Sequence, residues 1–399
     1  MVGPQKALNI VLSYAPSPQE ENIGSDSACG RVLARDIIAS ADYPEFDRAT
    51  MDGFAFALPG GSSVRSLELS CIGEIFAGQV WKKKLKKGFC AAISTGSAIP
   101  VGADCVVKKE DAKILPGGAR IAVLKYLSRW ENVARRGQDF KQGSVLLKKG
   151  LELNMSRVAL LASQGMREVN VFKSPKVALL STGDEVVEPG ERKKYGRVWN
   201  SSGMMLSCAL KSIGTPYSYL GIARDSESHL IEKIKKGLKN DILIVTGAVS
   251  AGKRDFVPRV LERCGVSVKL RKVALRPGKP LLFGVKGRSI IFGLPGNPVS
   301  SMVSFLFFVM PLIRKMTGLK TGIAYENGIL SCSARNESDR MSFFPACIEN
   351  SGSGIVVKPV RYSGSADIWA VSKADAFFVL DKYQRLKRGA EMRFVRIVL

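Results

Sequence analysis

A glycine-bracketed turn, Gly247-Ala248-Val249-Ser250-Ala251-Gly252-Lys253-Arg254-Asp255, follows the apolar run Asp241 to Thr246 and precedes a helical pattern from Phe256 to Cys264. A turn between a strand and a helix N-terminus presents backbone N–H groups to an anion. Gly247, Gly252 and Lys253 match the G-x-x-x-x-G-K spacing of a nucleotide-binding P-loop, but Arg254 stands where that loop carries a Ser or Thr for a metal ion. Four further loops have a similar character: Ser181-Thr182-Gly183-Asp184-Glu185, Gly221-Ile222-Ala223-Arg224-Asp225, Arg276-Pro277-Gly278-Lys279-Pro280 and Gly293-Leu294-Pro295-Gly296-Asn297-Pro298. Each joins turn-forming Gly or Pro to a charged or amide side chain. Taken singly, each could be no more than a turn; together they predict one crevice for a phosphate-bearing ligand.

For these loops to meet, the segments before them must be neighbouring strands. From about Lys176 to Gly318 short apolar runs alternate with helical patterns, which predicts a mostly parallel sheet with helices on both faces. The expected strands are Val177–Leu180, Tyr217–Leu220, Ile242–Val245 and Ile290–Phe292, with helices over Ser226–Leu238 and Phe256–Cys264 and Asp225 as an N-cap. Ligands of such sheets bind at the carboxyl ends of the strands. Cys71 to Asp139 is rich in β-branched residues and glycine, with alternation in Arg120–Leu124, and predicts a small β domain. Gly328 to Leu399, with strands at Gly354–Val357 and Met392–Val398, predicts another. Helical patterns around Lys6–Leu12 and Ser156–Ser163 flank the first β segment and are expected to pack together as a discontinuous linking domain.

Bulk properties exclude several classes. The 399 residues are too many for one ordinary core, and 46% hydrophobic with 24% charged residues is an ordinary globular balance. Eight dispersed cysteines without a C-x-x-C pair argue against a zinc ribbon or a redox motif and fit reduced thiols in a cytoplasm. The N-terminus lacks the apolar core and cleavage site of an export signal. The longest apolar run, Met302–Ile313, is shorter than the roughly 20 residues of a membrane span and predicts a buried helix. A single histidine, His229, leaves no Ser-His-Asp triad and no multi-His metal site, and is itself expected on a solvated helix face. Any catalytic metal must then be held by carboxylates, phosphates or carbonyls, which favours Mg²⁺. The net charge of +25 raises nucleic-acid binding. Its cations are dispersed, however, in runs such as Lys82–Lys84 with Lys86 and Lys87, Arg192–Lys194, and Lys233 with Lys235 and Lys236, and no aromatic-rich module surrounds them. Solvated faces are expected, part of the excess steering an anionic substrate.

These loops, in this order, resemble those of the molybdopterin molybdenumtransferases, the family that inserts molybdate into adenylylated molybdopterin. The likeness is also carried by Gly30–Asp36, by Pro44 to Ala55 including Met51-Asp52-Gly53, by Thr95–Pro100 with Gly102-Ala103-Asp104, and by Arg135–Asp139. It runs nearly end to end. The resemblance implies a multidomain α/β fold. A central three-layer α/β molybdopterin-binding domain, similar to MogA, spans 174–318; a β domain (44–139) is inserted in a discontinuous linker domain (1–43 and 140–173); and a C-terminal β-barrel-like domain spans 319–399. It also implies a homodimer in which Asp52 and Thr95 of one subunit face the central crevice of the other. On local sequence alone, Met51-Asp52-Gly53 reads as an Asx turn.

The chemistry so implied joins two anions, adenylyl-molybdopterin and molybdate, with release of AMP and with Mg²⁺. Fixed cations are needed to offset the Coulomb cost. The resemblance places Asp52, Thr95, Glu185, Asp225 and Asp255 in catalysis, with Glu185, Asp225 and Asp255 on the metal. Thr182, Gly183, Asp184, Gly247, Ser250, Gly252, Lys272, Arg276, Lys279, Pro295, Asn297 and Pro298 are expected to bind the substrates. Two positions depart from the common pattern, Ala248 for a glycine and Arg276 for a lysine; neither removes charge or a donor. A cytoplasmic enzyme in transient contact with the adenylyltransferase, and without membrane or nucleic-acid partners, follows from the same resemblance. Three alternatives stand beside it. A P-loop NTPase needs a hydroxyl at position 254. An adenylyltransferase shares the central domain but not the Met51-Asp52-Gly53 segment. A non-catalytic scaffold would bind DNA or RNA tightly at physiological salt.

Overall fold

The computed structural model describes residues 1–61, 67–247, 256–352 and 354–397. The chain divides into two units, one of Met1–Arg35, Gly150–Val158 and Arg167–Leu399, the other of Asp36–Lys149 and Ala159–Met166.

Aliphatic runs buried on both sides build the centre of the larger unit. Its strands are β1 (Val177–Thr182), β2 (Tyr217–Ala223), β3 (Ile242–Thr246), β4 (Ser267–Lys272), β5 (Pro280–Lys286) and β6 (Ser289–Leu294). They lie in the order β2-β1-β3-β6-β5-β4, the first four parallel, β5 antiparallel to β6 and β4 antiparallel to β5. The period of two along a strand sends alternate residues to opposite faces. Val177, Leu179, Ile242, Ile244, Ile290 and Phe292 face helices α1 (Pro4–Ser13), α2 (Ser201–Ser212) and a long helix, Pro298–Met316. Ala178, Leu180, Leu243, Val245 and Ile291 face helices α3 (Glu227–Gly237) and α4 (Phe256–Arg263).

The long helix holds the apolar run. Its middle, Phe305–Val309, is π-helical between two α segments. With 19 residues it is long and apolar enough to cross a membrane, which the run alone was not, but 83% of its apolar window is buried inside the protein.

Five strands close the C-terminal barrel: β7 (Glu326–Leu330), β8 (Met341–Ser351), β9 (Gly354–Pro359), β10 (Ala376–Leu380) and β11 (Glu391–Arg396). The ring runs β8-β9-β7-β11-β10 and returns to β8. Phe378, Leu380, Val357 and Phe394 fill it. Phe343, Phe377 and Val379 point outward into the core of the central sheet, where the Phe343 ring lies 5.8 Å from that of Phe307. A two-residue strand, Leu275–Arg276, leaves the central sheet and pairs with Met341 and Ser342 of β8.

The smaller unit is a six-stranded sheet in the order Cys105–Lys108, Gly53–Phe56, Phe89–Ile93, Leu67–Ile75, Arg120–Val123, Ala112–Ile114. Its faces bury two clusters, around Ala55, Ala91 and Val106, and around Phe56, Cys90, Val107 and Ile121. All eight cysteines are free, and burial pushes the Cys90 and Cys105 thiols up to about 12, which leaves them unreactive.

Candidate functional site

Three loops meet along a glycine seam at the carboxyl ends of β1, β3 and β6. Gly247 follows β3 with a φ of +88°, and a Cβ there would stand 2.7 Å from the Thr182 carbonyl oxygen and 2.9 Å from its Oγ1. A Cβ on Gly296 would stand 3.6 Å from the Gly247 Cα. Glycine is required at 247 by both conformation and space. The Thr182 hydroxyl is buried and donates to the Thr246 carbonyl at 2.9 Å, so it serves the sheet. Ser202 Oγ donates to the Gly296 carbonyl at 2.8 Å and Ser301 Oγ to that of Pro295, which fixes the loop before the long helix. Ser250, Gly252 and Asp255 lie outside the described residues.

Beside the seam is a cavity of about 470 Å³. Arg276, Lys279, Pro295 and Asn297 line it from the central domain, and Arg340, Tyr362, Ser363 and Ser365 from the C-terminal segment. No carboxylate is among its lining residues. Arg340 is held by the Leu275 carbonyl, to which its Nη1 donates at 3.2 Å. Asn297 Nδ2 donates to Ser365 Oγ at 2.9 Å and so joins the two walls. The Tyr362 hydroxyl is buried with no hydrogen-bond partner among the described residues, and its burial pushes its pKa up to about 12. A neutral hydroxyl beside Arg276, with Asp367 behind it, offers its proton to an acceptor, and the Arg276, Lys279 and Arg340 side chains of the lining favour an oxyanion.

Among the described residues the Gly183–Asp184 and Gly221–Arg224 loops line a second cavity of about 760 Å³, and the loop between the two cavities in strand order, 248–255, is outside the described residues. Across these two loops Asp184 N–H donates to Asp225 Oδ2 at 3.3 Å and Asp225 N–H to Asp184 Oδ1 at 3.2 Å. Asp225 Oδ1 is buried and has no partner among the described residues. Asp225 is therefore not the N-cap of α3; Ser226 holds that position, without a side-chain bond. His229 is half-buried rather than solvated, and its Nδ1 accepts from Arg224 N–H at 3.1 Å. Glu185 is exposed, and its carboxylate lies against Gly183, where any Cβ would meet it within 2.7 Å. Among the described residues no three His, Cys, Asp or Glu side chains gather as a metal cluster. Lys272 ends β4 in solvent, Pro298 is the first residue of its helix, and neither lines the two cavities.

A partly buried network that the sequence did not disclose supports the second cavity. Asn200 caps α2 by accepting from Gly203 N–H at 3.0 Å, and its Nδ2 donates to Tyr219 Oη at 2.6 Å and to Glu188 Oε1 at 3.2 Å. The Tyr219 hydroxyl donates to Glu188, and burial together with that carboxylate raises its pKa well above the usual phenol range.

In the smaller unit Asp52 Oδ1 accepts from both Thr95 N–H, at 2.7 Å, and Thr95 Oγ1, at 2.8 Å. These two bonds hold its pKa below the usual carboxylate range. Asp52 thus stays ionised further into acid, and the bonds are lost only as pH falls through that lowered value. Thr95→Val keeps the N–H and removes the hydroxyl, so the Asp52 carboxyl resonance in a carbon-13 titration is expected to move at higher pH than in the wild type.

A doubly wound sheet with an oxyanion cavity at its strand ends, abutting a closed barrel, defines a multidomain enzyme that handles anionic ligands. The chain belongs to the molybdopterin molybdenumtransferase family. Residues 2–165 match the MoeA N-terminal region (domain I and II), 178–315 a probable molybdopterin binding domain, and 327–396 the MoeA C-terminal region (domain IV). The molybdopterin molybdenumtransferase of Haemophilus influenzae is 33% identical over 382 residues, 94% of each chain. That of a Nostoc species is 34% identical over 325 residues, 79% of this chain and 74% of its own. The crystal structure of a molybdopterin biosynthesis MoeA protein from Pyrococcus horikoshii superposes with a TM-score of 0.80 at 33% identity, covering 100% of this chain and 99% of that one.

The cavity residues Arg340, Tyr362, Ser363 and Ser365 were not anticipated. A signal was present in Ser363-Gly364-Ser365, which joins glycine to hydroxyls as the recognised loops join it to charges.

Proposed function

We propose that the protein transfers molybdenum from molybdate to adenylylated molybdopterin and releases AMP. The cavity lined by Arg276, Lys279 and Arg340, with no carboxylate in its described lining and with the Tyr362 hydroxyl unpaired among the described residues, carries this reading. A tetrahedral dianion entering it exchanges water for fixed donors that need no reorganisation. Pro295 and Asn297 shape its rim for the pterin, and the Gly247–Gly252 amides with Ser250 and Lys272 are assigned to the substrate phosphates.

Asp184 and Asp225 fit a divalent cation, because each carboxylate lies against the other's backbone N–H across two loops and one buried oxygen of Asp225 has no partner among the described residues. They would hold Mg²⁺, with Glu185 and Asp255 assigned beside them, and the ion would screen the charge of the phosphoanhydride. No side-chain nucleophile is required; the residues position two anions and offset their repulsion. In the homodimer that the family resemblance implies, Asp52 and Thr95 are contributed by a second copy of the chain. The enzyme works in the cytoplasm, in transient contact with the adenylyltransferase that supplies its substrate.

The test is direct. Purified protein with Mg²⁺, adenylyl-molybdopterin and molybdate is expected to release AMP, measured by chromatography, at a rate that depends on molybdate. Absence of molybdate-dependent release, under conditions where the Haemophilus influenzae relative turns over, would sink the proposal.

A further inference from the structure

The crossover between two parallel strands of the smaller unit, Leu67–Ile75 and Phe89–Ile93, carries the densest positive charge in the sequence. Lys82, Lys83, Lys84, Lys86 and Lys87 lie within six residues, all exposed, and no arginine stands between Phe76 and Gly88. From Leu69 to Ala103 the only acidic residue is Glu74. Among the described residues none of the five ammonium groups enters a hydrogen bond or ion pair. Other cations of the same unit are paired, Lys125 with Glu131 at 3.2 Å, Lys148 with Asp36 at 3.0 Å and Arg129 with Asp104 at 3.0 Å. Apolar groups and backbone bonds, not lysines, hold this strap. Leu85 is buried and its N–H donates to the Val101 carbonyl at 2.8 Å, while the Trp81 ring lies so close to Gly73 that a Cβ there would stand 2.7 Å from Cη2. At its start Gln79 N–H donates to the Phe76 carbonyl at 3.0 Å and Gln79 Oε1 accepts from Phe76 N–H at 3.3 Å, around Gly78 with a φ of +84°.

A run of lysines is ordinarily a solvated face. This one has apolar neighbours in water: Ile72 and Phe76 are each 49% exposed and Val80 75%. Ile72 and Trp81 line a cavity of about 370 Å³ together with Lys82 and Lys83, so apolar surface and unpaired cations share one site. The residue types select among polyanions. Protein interfaces are enriched in arginine and poor in lysine, because the guanidinium fork matches a carboxylate held in place. Nucleic-acid grooves add stacked rings and arginine to their lysines, and the strap has no arginine. A bilayer asks for neither a fork nor a fixed partner. Lysines meet its anionic headgroups as point charges, and apolar side chains beside them enter the acyl boundary. A polybasic segment with an apolar element supplies the two signals that lasting attachment takes.

We infer that the strap at 76–87 docks the protein on an anionic lipid surface, with its five lysines at the headgroups and Phe76 and Val80 at the acyl boundary. On this point the chain departs from what the family resemblance implies, and the contact is independent of the transfer reaction. Sedimentation tests it. The full chain is mixed with vesicles of phosphatidylcholine alone and with vesicles of phosphatidylcholine and phosphatidylglycerol in equal parts, at physiological and at high salt. The wild type is expected to sediment with the mixed vesicles only, and less at high salt. One lysine at an anionic leaflet is worth about fivefold in partition, so Lys82→Gln/Lys83→Gln/Lys84→Gln is expected to lose about 10²-fold. Lys235→Gln/Lys236→Gln/Lys239→Gln removes the same charge from exposed positions of the larger unit and is expected to lose about twofold or less, since only screened long-range attraction changes. Phe76→Ser/Val80→Ser, with every lysine kept, is expected to lose about tenfold. All these side chains are exposed, so the three variants are expected to melt with the wild type. Failure of the wild type to sediment with the mixed vesicles, equal sedimentation with phosphatidylcholine alone, equal loss in the two lysine variants, or full retention by Phe76→Ser/Val80→Ser would each overturn the assignment. A single-stranded oligonucleotide that binds the wild type more tightly than the mixed vesicles do at physiological salt, and is released by the Lys82 to Lys84 substitutions, would overturn it in favour of nucleic acid.

Discussion

Arg276→Ala is expected to slow molybdate-dependent AMP release by about 10²- to 10³-fold, the cost of removing one preorganised donor from a developing or bound oxyanion. No carboxylate is among the described residues that line the cavity, so the loss of Arg276 leaves a dianion facing Lys279 and Arg340, the latter already paired with Asp339. The guanidinium also presents a planar fork of donors, and Arg276→Lys, which keeps the charge and loses the fork, is expected to fall between the two. Arg276 is exposed, and its backbone pairing with Ser342 does not depend on the side chain. Thermal unfolding of the variant should therefore follow the wild type. Single-turnover AMP release under saturating Mg²⁺ measures the effect, and a loss of less than about tenfold would remove Arg276 from the oxyanion site.

Gly53→Ala is expected to destabilise the protein by about 3 kcal/mol, at the upper end of the cost of overpacking a fitted core. A Cβ at this position would lie 1.8 Å from the Val107 carbonyl oxygen and 2.8 Å from its carbon. Neither is the end of a flexible side chain. Relief would require Gly53–Phe56 to part from Cys105–Lys108, whose residues it faces one for one from Gly53 with Lys108 to Phe56 with Cys105. The control is Gly3→Ala, where φ is −63° and nothing lies within 4 Å. A lowered midpoint of thermal unfolding in the first variant and none in the second is the expected pair of results. Equal midpoints would show that the two strands yield more easily than their pairing implies. Glycine at 53 thus answers to a close approach of backbones, which the reading of Met51-Asp52-Gly53 as a turn had not considered.

Legibility followed burial. Val177–Thr182, Ile242–Thr246 and Ser289–Leu294 announce themselves because a strand covered on both faces must be apolar at nearly every position. Ser267–Lys272 does not, since it lies at the sheet edge and fully buries only Leu270. Pro280–Lys286 was missed as well, its apolar run hidden behind a loop that had already been read for its turn residues. Loops could be recognised by composition, but their grouping could not. The cavity that receives Arg276 is completed by Arg340 and Tyr362, more than 60 residues away in sequence and carrying no spacing that points back to it. The N-cap lies one residue further on, at Ser226, because Asp225 is engaged by Asp184 of the loop after the neighbouring strand, a contact between loops that local capping preferences do not contain.

The short pairing of Leu275–Arg276 with Met341 and Ser342 has a consequence for how the protein opens. β8 is an 11-residue strand held by β9, by β10 and by this rung, so the loop bearing Arg276 is stitched into a closed cylinder. A loop of that kind has no shallow local fluctuation of its own. Freeing it means parting the first rungs of the barrel, so its amide protons share the protection of the cylinder rather than that of an ordinary surface turn. An anion held by Arg276 would then stabilise the whole ring as one cooperative unit, out to Glu391–Arg396 near the end of the described chain.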